Sequence, residues 1–345
     1  MLYATTRNST DVFTAHRVLT LRRGPDGGLF VPYRIPRFSA EEIQAFGTRS
    51  FNGNLAVLLN LQFGCGLNPY DIDLAIGRSS VRLQQLGQKL LVGECWHNTQ
   101  WQFRRMVQDL SVLILGEKNS QLQTGGWAEV GVRISVLFGL FGELIRAGLA
   151  GPEKPVDIAL VSGDFSGPMS AWYARTMGLP IGNIICCCNE NASIWDFICH
   201  GQLRTDSVAE KTGIPEADIA VPEGLERLIS VYGGPEETAR YVEHLHQGRT
   251  YYAEDGLLKR LRQGIYVTVS SGKRIRDTVQ GAWSTHQYLM APASALVYGG
   301  LQDYRARTGE RRTALILTEK SPSCDPDSTA HALGVPVEVL KQFMK

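Results

Sequence analysis

Five short apolar runs bounded by turn residues set the rhythm of this chain: Leu90 to Cys95, Val156 to Val161, Asn183 to Cys188, Ile265 to Val269 and Thr313 to Leu317. Runs this short and continuous predict strands buried on both faces, and a loop followed by a helix-compatible stretch comes after most of them. The alternation predicts an α/β fold, a mostly parallel sheet flanked by helices on both sides. Between the first two runs, Trp127, Val130, Ile134, Leu137, Phe138, Phe141, Ile145 and Leu149 recur at helical spacing and predict one long buried helix. Phe103, Met106, Val107, Leu110, Leu113 and Ile114 mark the apolar side of another helix. The charged stretch from 236 to 259 predicts surface helices and their connections.

Before residue 85 the pattern differs. Phe13 to Leu21 is helix-compatible, and Gly24 to Pro32 is a turn that opens an extended piece. In Ser39-Ala40-Glu41-Glu42-Ile43 the Glu42 carboxylate is placed to reach back to Ser39, a capping-box helix start. Leu55 to Phe63 predicts a packed helix. We expect a mainly helical N-terminal subdomain over 1–85 and an α/β core domain over 86–345. A chain of 345 residues also exceeds the roughly 250–300 that one core usually serves.

Charge narrows the possible partners. The net charge is +1 from 35 basic and 34 acidic residues, with no basic run longer than a pair, so nothing marks a nucleic-acid or anionic-membrane surface. No signal-peptide core opens the chain, and its greasiest piece, Ile134 to Gly142, is bounded by Arg133 and Glu143. A cytoplasmic location is the expectation. Cys186, Cys187 and Cys188 are consecutive on a strand and point to alternating faces, so they predict small buried hydrophobes rather than one metal site.

Ligands of open parallel sheets sit past the carboxyl ends of the strands. Three such ends here are polar. The first runs from Glu94 through His97 to Arg104, at the start of the helix beginning near Phe103. The second is Ser162-Gly163-Asp164-Phe165-Ser166-Gly167, a glycine-containing turn feeding a helix, with Asp164 an unhelpful charge for a phosphate. The third is Thr318-Glu319-Lys320-Ser321. A hydrolase reading with Cys95 and His97 lacks an orienting acid beyond Glu94, and a buried strand cysteine is the simpler account.

Several segments together carry a resemblance. Val161-Ser162-Gly163-Asp164-Phe165-Ser166-Gly167, Tyr173-Ala174-Arg175-Thr176-Met177-Gly178-Leu179-Pro180-Ile181, Cys188-Asn189-Glu190-Asn191 and Val221-Pro222-Glu223-Gly224-Leu225-Glu226-Arg227-Leu228 occur in that order. With Thr5-Thr6-Arg7-Asn8 and Asp26-Gly27-Gly28-Leu29-Phe30-Val31-Pro32 ahead of them, they resemble the threonine synthase family over nearly the whole chain. The resemblance implies a fold-type-II pyridoxal phosphate (PLP) enzyme-like large domain. It also implies a lysine that holds the cofactor and O-phosphohomoserine as substrate.

The departures from the family decide the functional expectation. The lysine position falls on Arg104, whose guanidinium, with a pKa above about 12, stays charged and cannot be expected to form a Schiff base. The cofactor-phosphate turn of the family falls on Gly163 to Gly167, with a carboxylate, Asp164, in place of an amide. Only Thr318 survives of the loop that meets the pyridine nitrogen. Ser111 to Gly126 leaves no room for the small mobile substrate lobe, so that lobe is expected to be missing.

We therefore expect a threonine-synthase-like protein without lysine-dependent PLP catalysis, acting as a ligand-binding, regulatory or assembly module with no cofactor. His97, Arg104, Gly163, Asp164, Phe165, Ser166, Gly167 and Thr318 are its candidate cofactor- or anion-binding residues. The purely structural account makes Arg104 an ion-paired residue, with Asp164 as partner. The alternative is a working PLP enzyme using another lysine, Lys320 having the best position. A small anionic ligand and a homo-oligomer are the expected partners, the latter because loss of a covering lobe bares surface.

Overall fold

The computed structural model describes residues 1–78, 81–96, 103–116 and 125–344. Its centre is a six-stranded sheet in the order Ile265–Val269, Ile181–Cys188, Val156–Val161, Ala314–Thr318, Leu90–Glu94, Arg82–Gly87. The first five strands run parallel, and Arg82–Gly87 pairs antiparallel with Leu90–Glu94 across a two-residue hairpin. All five strands expected from the apolar runs are present.

The alternation of side chains divides the interior. Cys186 and Cys188 join one apolar cluster with Ile184, Leu160 and Leu315, while Cys187 joins the other with Ile185, Ala159 and Ile316. Both faces are dry, which is why these strands read as continuous apolar runs rather than alternating ones. Each large aliphatic side chain buried here contributes about 1.5–3 kcal/mol.

One face is covered by Trp127–Arg146 and Ser166–Thr176, the other by Pro292–Thr308 with Gly272–His286 outside it. The long helix Trp127–Arg146 also packs on Phe51–Phe63. A small-residue stripe brings the two close: a Cβ at Gly139 would lie 2.6 Å from the Phe51 ring, and one at Gly142 2.8 Å from the Phe46 carbonyl oxygen. Gln62 crosses the same contact, donating to the Gly131 carbonyl at 3.0 Å and to Ser135 Oγ at 3.1 Å. The helix stops at Arg146, before the expected Leu149, because Gly148 turns the chain at φ 69°.

The first 85 residues, expected to be mainly helical, also hold a small sheet. The predicted helices are there, with the Ser39–Glu42 capping box formed in both directions. Beside them Leu2–Thr5 lies between Phe13–Thr14 and Phe30–Pro32 in a three-stranded antiparallel sheet. The expected boundary at 85/86 falls inside Arg82–Gly87, a strand of the central sheet. The surface helices expected over 236–259 are Leu225–His246, bent where Gly234 takes φ 80° before Pro235, and Asp255–Leu261. Among the described residues, no helix is long and apolar enough to cross a membrane.

Several of the sequence motifs are braces between distant segments. Gly27 takes φ 76° in the Asp26–Gly28 turn, where Asp26 accepts the Gly28 N–H at 3.0 Å. Glu226, 1% exposed, accepts from Thr6 and from Arg7 at 3.0 Å, so the Thr5–Asn8 and Val221–Leu228 motifs meet. The adjacent Arg227, wholly buried, donates to the carbonyls of Phe30 at 3.1 Å and Gly125 at 3.0 Å.

Candidate ligand site

At the carboxyl ends of the parallel strands lies a cavity of about 520 Å³. Its walls come from the start of Phe103–Leu115, the first turns of Trp127–Arg146, the loops after Val156–Val161 and Ala314–Thr318, and the segment around Glu216. Of the candidate residues, Arg104, Gly163, Asp164, Gly167, Thr318 and Lys320 line it. Phe165 and Ser166 are buried behind the turn, and His97 lies outside the described residues.

Arg104 is exposed on the cavity wall and makes no ion pair with another described residue. The expected partner, Asp164, is engaged elsewhere: Oδ1 accepts the Ser166 N–H and Oδ2 accepts Ser166 Oγ, both at 2.9 Å. The ion-paired account of Arg104 with Asp164 is thereby corrected. Asp164 satisfies the first turn of its own helix, which leaves the arginine turned to the open cavity.

A second cation of the wall is Arg133, which in the sequence marks only the boundary of an apolar run. It donates through Nε and Nη2 to Glu129 at 3.1 and 2.9 Å, and through Nη1 and Nη2 to Glu319, the latter at 3.1 Å. Its guanidinium also stands 4.5 Å over the Phe103 ring. Burial opposes its charge, yet Glu319 and Glu129 hold its pKa above the ordinary value, with Asp164 adding to the effect. Burial likewise opposes the charge of Glu129, but Arg133 and the Gly125 N–H keep that carboxyl below its ordinary range. Glu129 and Arg133 stand four apart in the first two turns of the helix, ahead of its apolar run, and that spacing is the available signal.

The remaining groups are also committed. Lys320 is ion-paired with Glu216. Thr318, 2% exposed, accepts from Trp96 Nε1 at 3.0 Å and donates to the Gly93 carbonyl at 3.1 Å. Cys95 is buried, and burial raises its thiol well above the ordinary range, which disfavours the thiolate a nucleophile would need. The helices Phe103–Leu115 and Trp127–Arg146 are separated by residues 116–126, most of which lie outside the described residues, as does the expected place of the small lobe.

A mostly parallel sheet with this cavity at its carboxyl edge is an α/β fold like that of the fold-type-II PLP enzymes. Residues 2–67 match the family model described as the threonine synthase N terminus. The PLP-bound threonine synthase from Brucella melitensis superposes with a TM-score of 0.87 at 18% identity, over 97% of this chain and 92% of that one. Threonine synthase-like 1 from Homo sapiens is 27% identical over 158 residues, 45% of this chain, and the match spans only about a fifth (21%) of that relative's length. Threonine synthase-like 2 from Homo sapiens is 19% identical over 396 residues, covering 86% of this chain and 82% of the relative. That alignment is longer than the chain itself, so the relative carries segments with no counterpart here. The chain is thus similar to threonine synthases in fold over nearly its whole length, and in sequence at low identity.

The fold family implies PLP, and the cavity residues do not fit a lysine-held one. Among the described residues, Lys320 is the one lysine on the wall and is tied to Glu216, Arg104 cannot form an imine, and the carboxylate of Asp164 takes the donors at the start of Ser166–Thr176.

Proposed function

We propose that this protein is a threonine-synthase-like binding module whose cavity takes a small anionic ligand and runs no lysine-dependent PLP chemistry. The observation that carries the reading is Arg104, exposed on the wall of the cavity with no ion-pair partner among the described residues. A guanidinium presents a fixed fork of donors suited to a carboxylate and cannot lose the proton that imine formation requires. Val107, Val161, Ile219 and Leu317 on the same wall suit an apolar body on that ligand.

Two titrations test the proposal. The absorbance of PLP is followed as protein is added, then borohydride is used and peptides are mapped; no pyridoxyl-lysine is expected, and finding one would end the reading. Small carboxylates are titrated against the wild type and Arg104→Ala, with loss of about tenfold or more expected in the variant. Equal affinity would remove Arg104 from the site.

The second reading, a PLP-dependent O-phosphohomoserine lyase, is favoured by the place of Lys320 on the cavity wall. Turnover that disappears in Lys320→Ala would establish it. We also propose a homo-oligomer, for which light scattering at a monomer's mass is the contrary result.

A further inference from the structure

Asp164 puts a negative charge where the cavity meets a helix N-terminus, and the backbone is shaped to hold it there. Gly163 takes φ 49° and Phe165 φ 72°, a left-handed conformation that an aromatic residue rarely adopts. Gly224 N–H pins the Asp164 carbonyl at 2.8 Å from the far side. A Cβ at Gly224 would lie 2.7 Å from that carbonyl oxygen, and one at Gly125 would lie 3.3 Å from Asp164 Oδ2. Glycines therefore enclose the residue on two sides.

The carboxylate turns back onto Ser166, the first residue of Ser166–Thr176, and takes both its N–H and its hydroxyl. These are the donors a helix start offers to an anion. Two cations balance the carboxylate electrostatically, Arg133 and Arg227. Arg227 is wholly buried and its Nη1 has no hydrogen-bond partner in this structure, so donor capacity beside the turn exceeds what the protein itself uses.

We infer that Asp164 is a built-in anion that closes the Ser162–Gly167 turn to phosphate, and so sets the cavity against phosphorylated ligands at this end. The carboxylate occupies the donors a phosphate would need and repels its charge. The inference adds the excluded ligand class to the reading above, yet it concerns a different wall and stands even if Arg104 binds nothing.

Inorganic phosphate is titrated into the full chain while the backbone amide of Ser166 is followed by NMR. In the wild type, millimolar phosphate leaves that amide unmoved. In Asp164→Asn, of the same shape and without the charge, the amide shifts and saturates, with phosphate affinity gained by about tenfold or more. Asp164→Ser serves as a second variant should the first fold poorly, and Glu236→Gln, an exposed acid on Leu225–His246, controls for net charge. A wild-type Ser166 amide that responds to phosphate overturns the inference. So does a folded Asp164 variant with no gain, or an equal gain in Glu236→Gln. Loss of carboxylate binding in Arg104→Ala bears only on the earlier reading.

Discussion

Arg133 and Glu319 lie 186 residues apart in the sequence and meet through two hydrogen bonds on the wall of the cavity. Glu129 completes the cluster from the helix turn below. A buried cation, neutralised on both sides, thus forms part of the cavity wall.

Arg133→Met leaves Glu129 and Glu319 without their shared counter-ion. Breaking a buried pair costs about 3–5 kcal/mol. Glu319 keeps 36% of its side-chain surface in solvent, so we expect a smaller loss of about 1–3 kcal/mol. Urea unfolding measures it, and an unchanged midpoint would contradict the role given to the cluster.

The same cluster predicts a pH dependence. The folded-state pKa of Glu129 lies below its ordinary value of 4.5, so folding favours the ionised carboxylate. Its stabilisation is complete above that value and is lost as the pH falls through the folded-state pKa. Glu129→Gln should flatten the acid limb of stability against pH, and a limb as steep as in the wild type would locate the effect elsewhere.

Gly142→Ala sets helix propensity against packing. Alanine favours a helix by about 1 kcal/mol over glycine. The added methyl meets the Phe46 carbonyl 2.8 Å away and the Asn54 side chain, and overpacking costs about 1–3 kcal/mol. The backbone oxygen cannot move aside cheaply, so the thermal midpoint should fall; a rise would show that the helices separate easily.

Alkylation of the folded protein should begin at the exposed Cys199. Burial raises the thiols of Cys187 and Cys188 to about 12, and Cys95 and Cys186 are buried too. Peptide mapping after brief iodoacetamide treatment reports the order, and early labelling of Cys95 would revive the hydrolase reading.

The five parallel strands were legible because both their faces are dry and their sequences are unbroken apolar runs. Arg82–Gly87 was not, since an edge strand carrying Arg82, Gln84 and Gln85 has no such run. The N-terminal sheet was hidden by the brevity of its strands, with Leu2 more than half exposed. Arg104 and Asp164 stood out as departures from a family pattern. Arg133 did not, because it reads as the polar boundary of a greasy helix until the fold brings Glu319 to it.

Arg227 reaches across the molecule to the Phe30 carbonyl, while its neighbour Glu226 receives Thr6 and Arg7. Peeling away the first strands would strand a buried guanidinium and a buried carboxylate together, each costly without its partners. The amino-terminal sheet and the central sheet should accordingly melt in a single transition, and a calorimetric trace with two resolved peaks would separate them. This brace fastens the front segment, residues 2–67, which a family model matches, to the body of the protein, so its residues carry a mechanical load whatever the cavity binds.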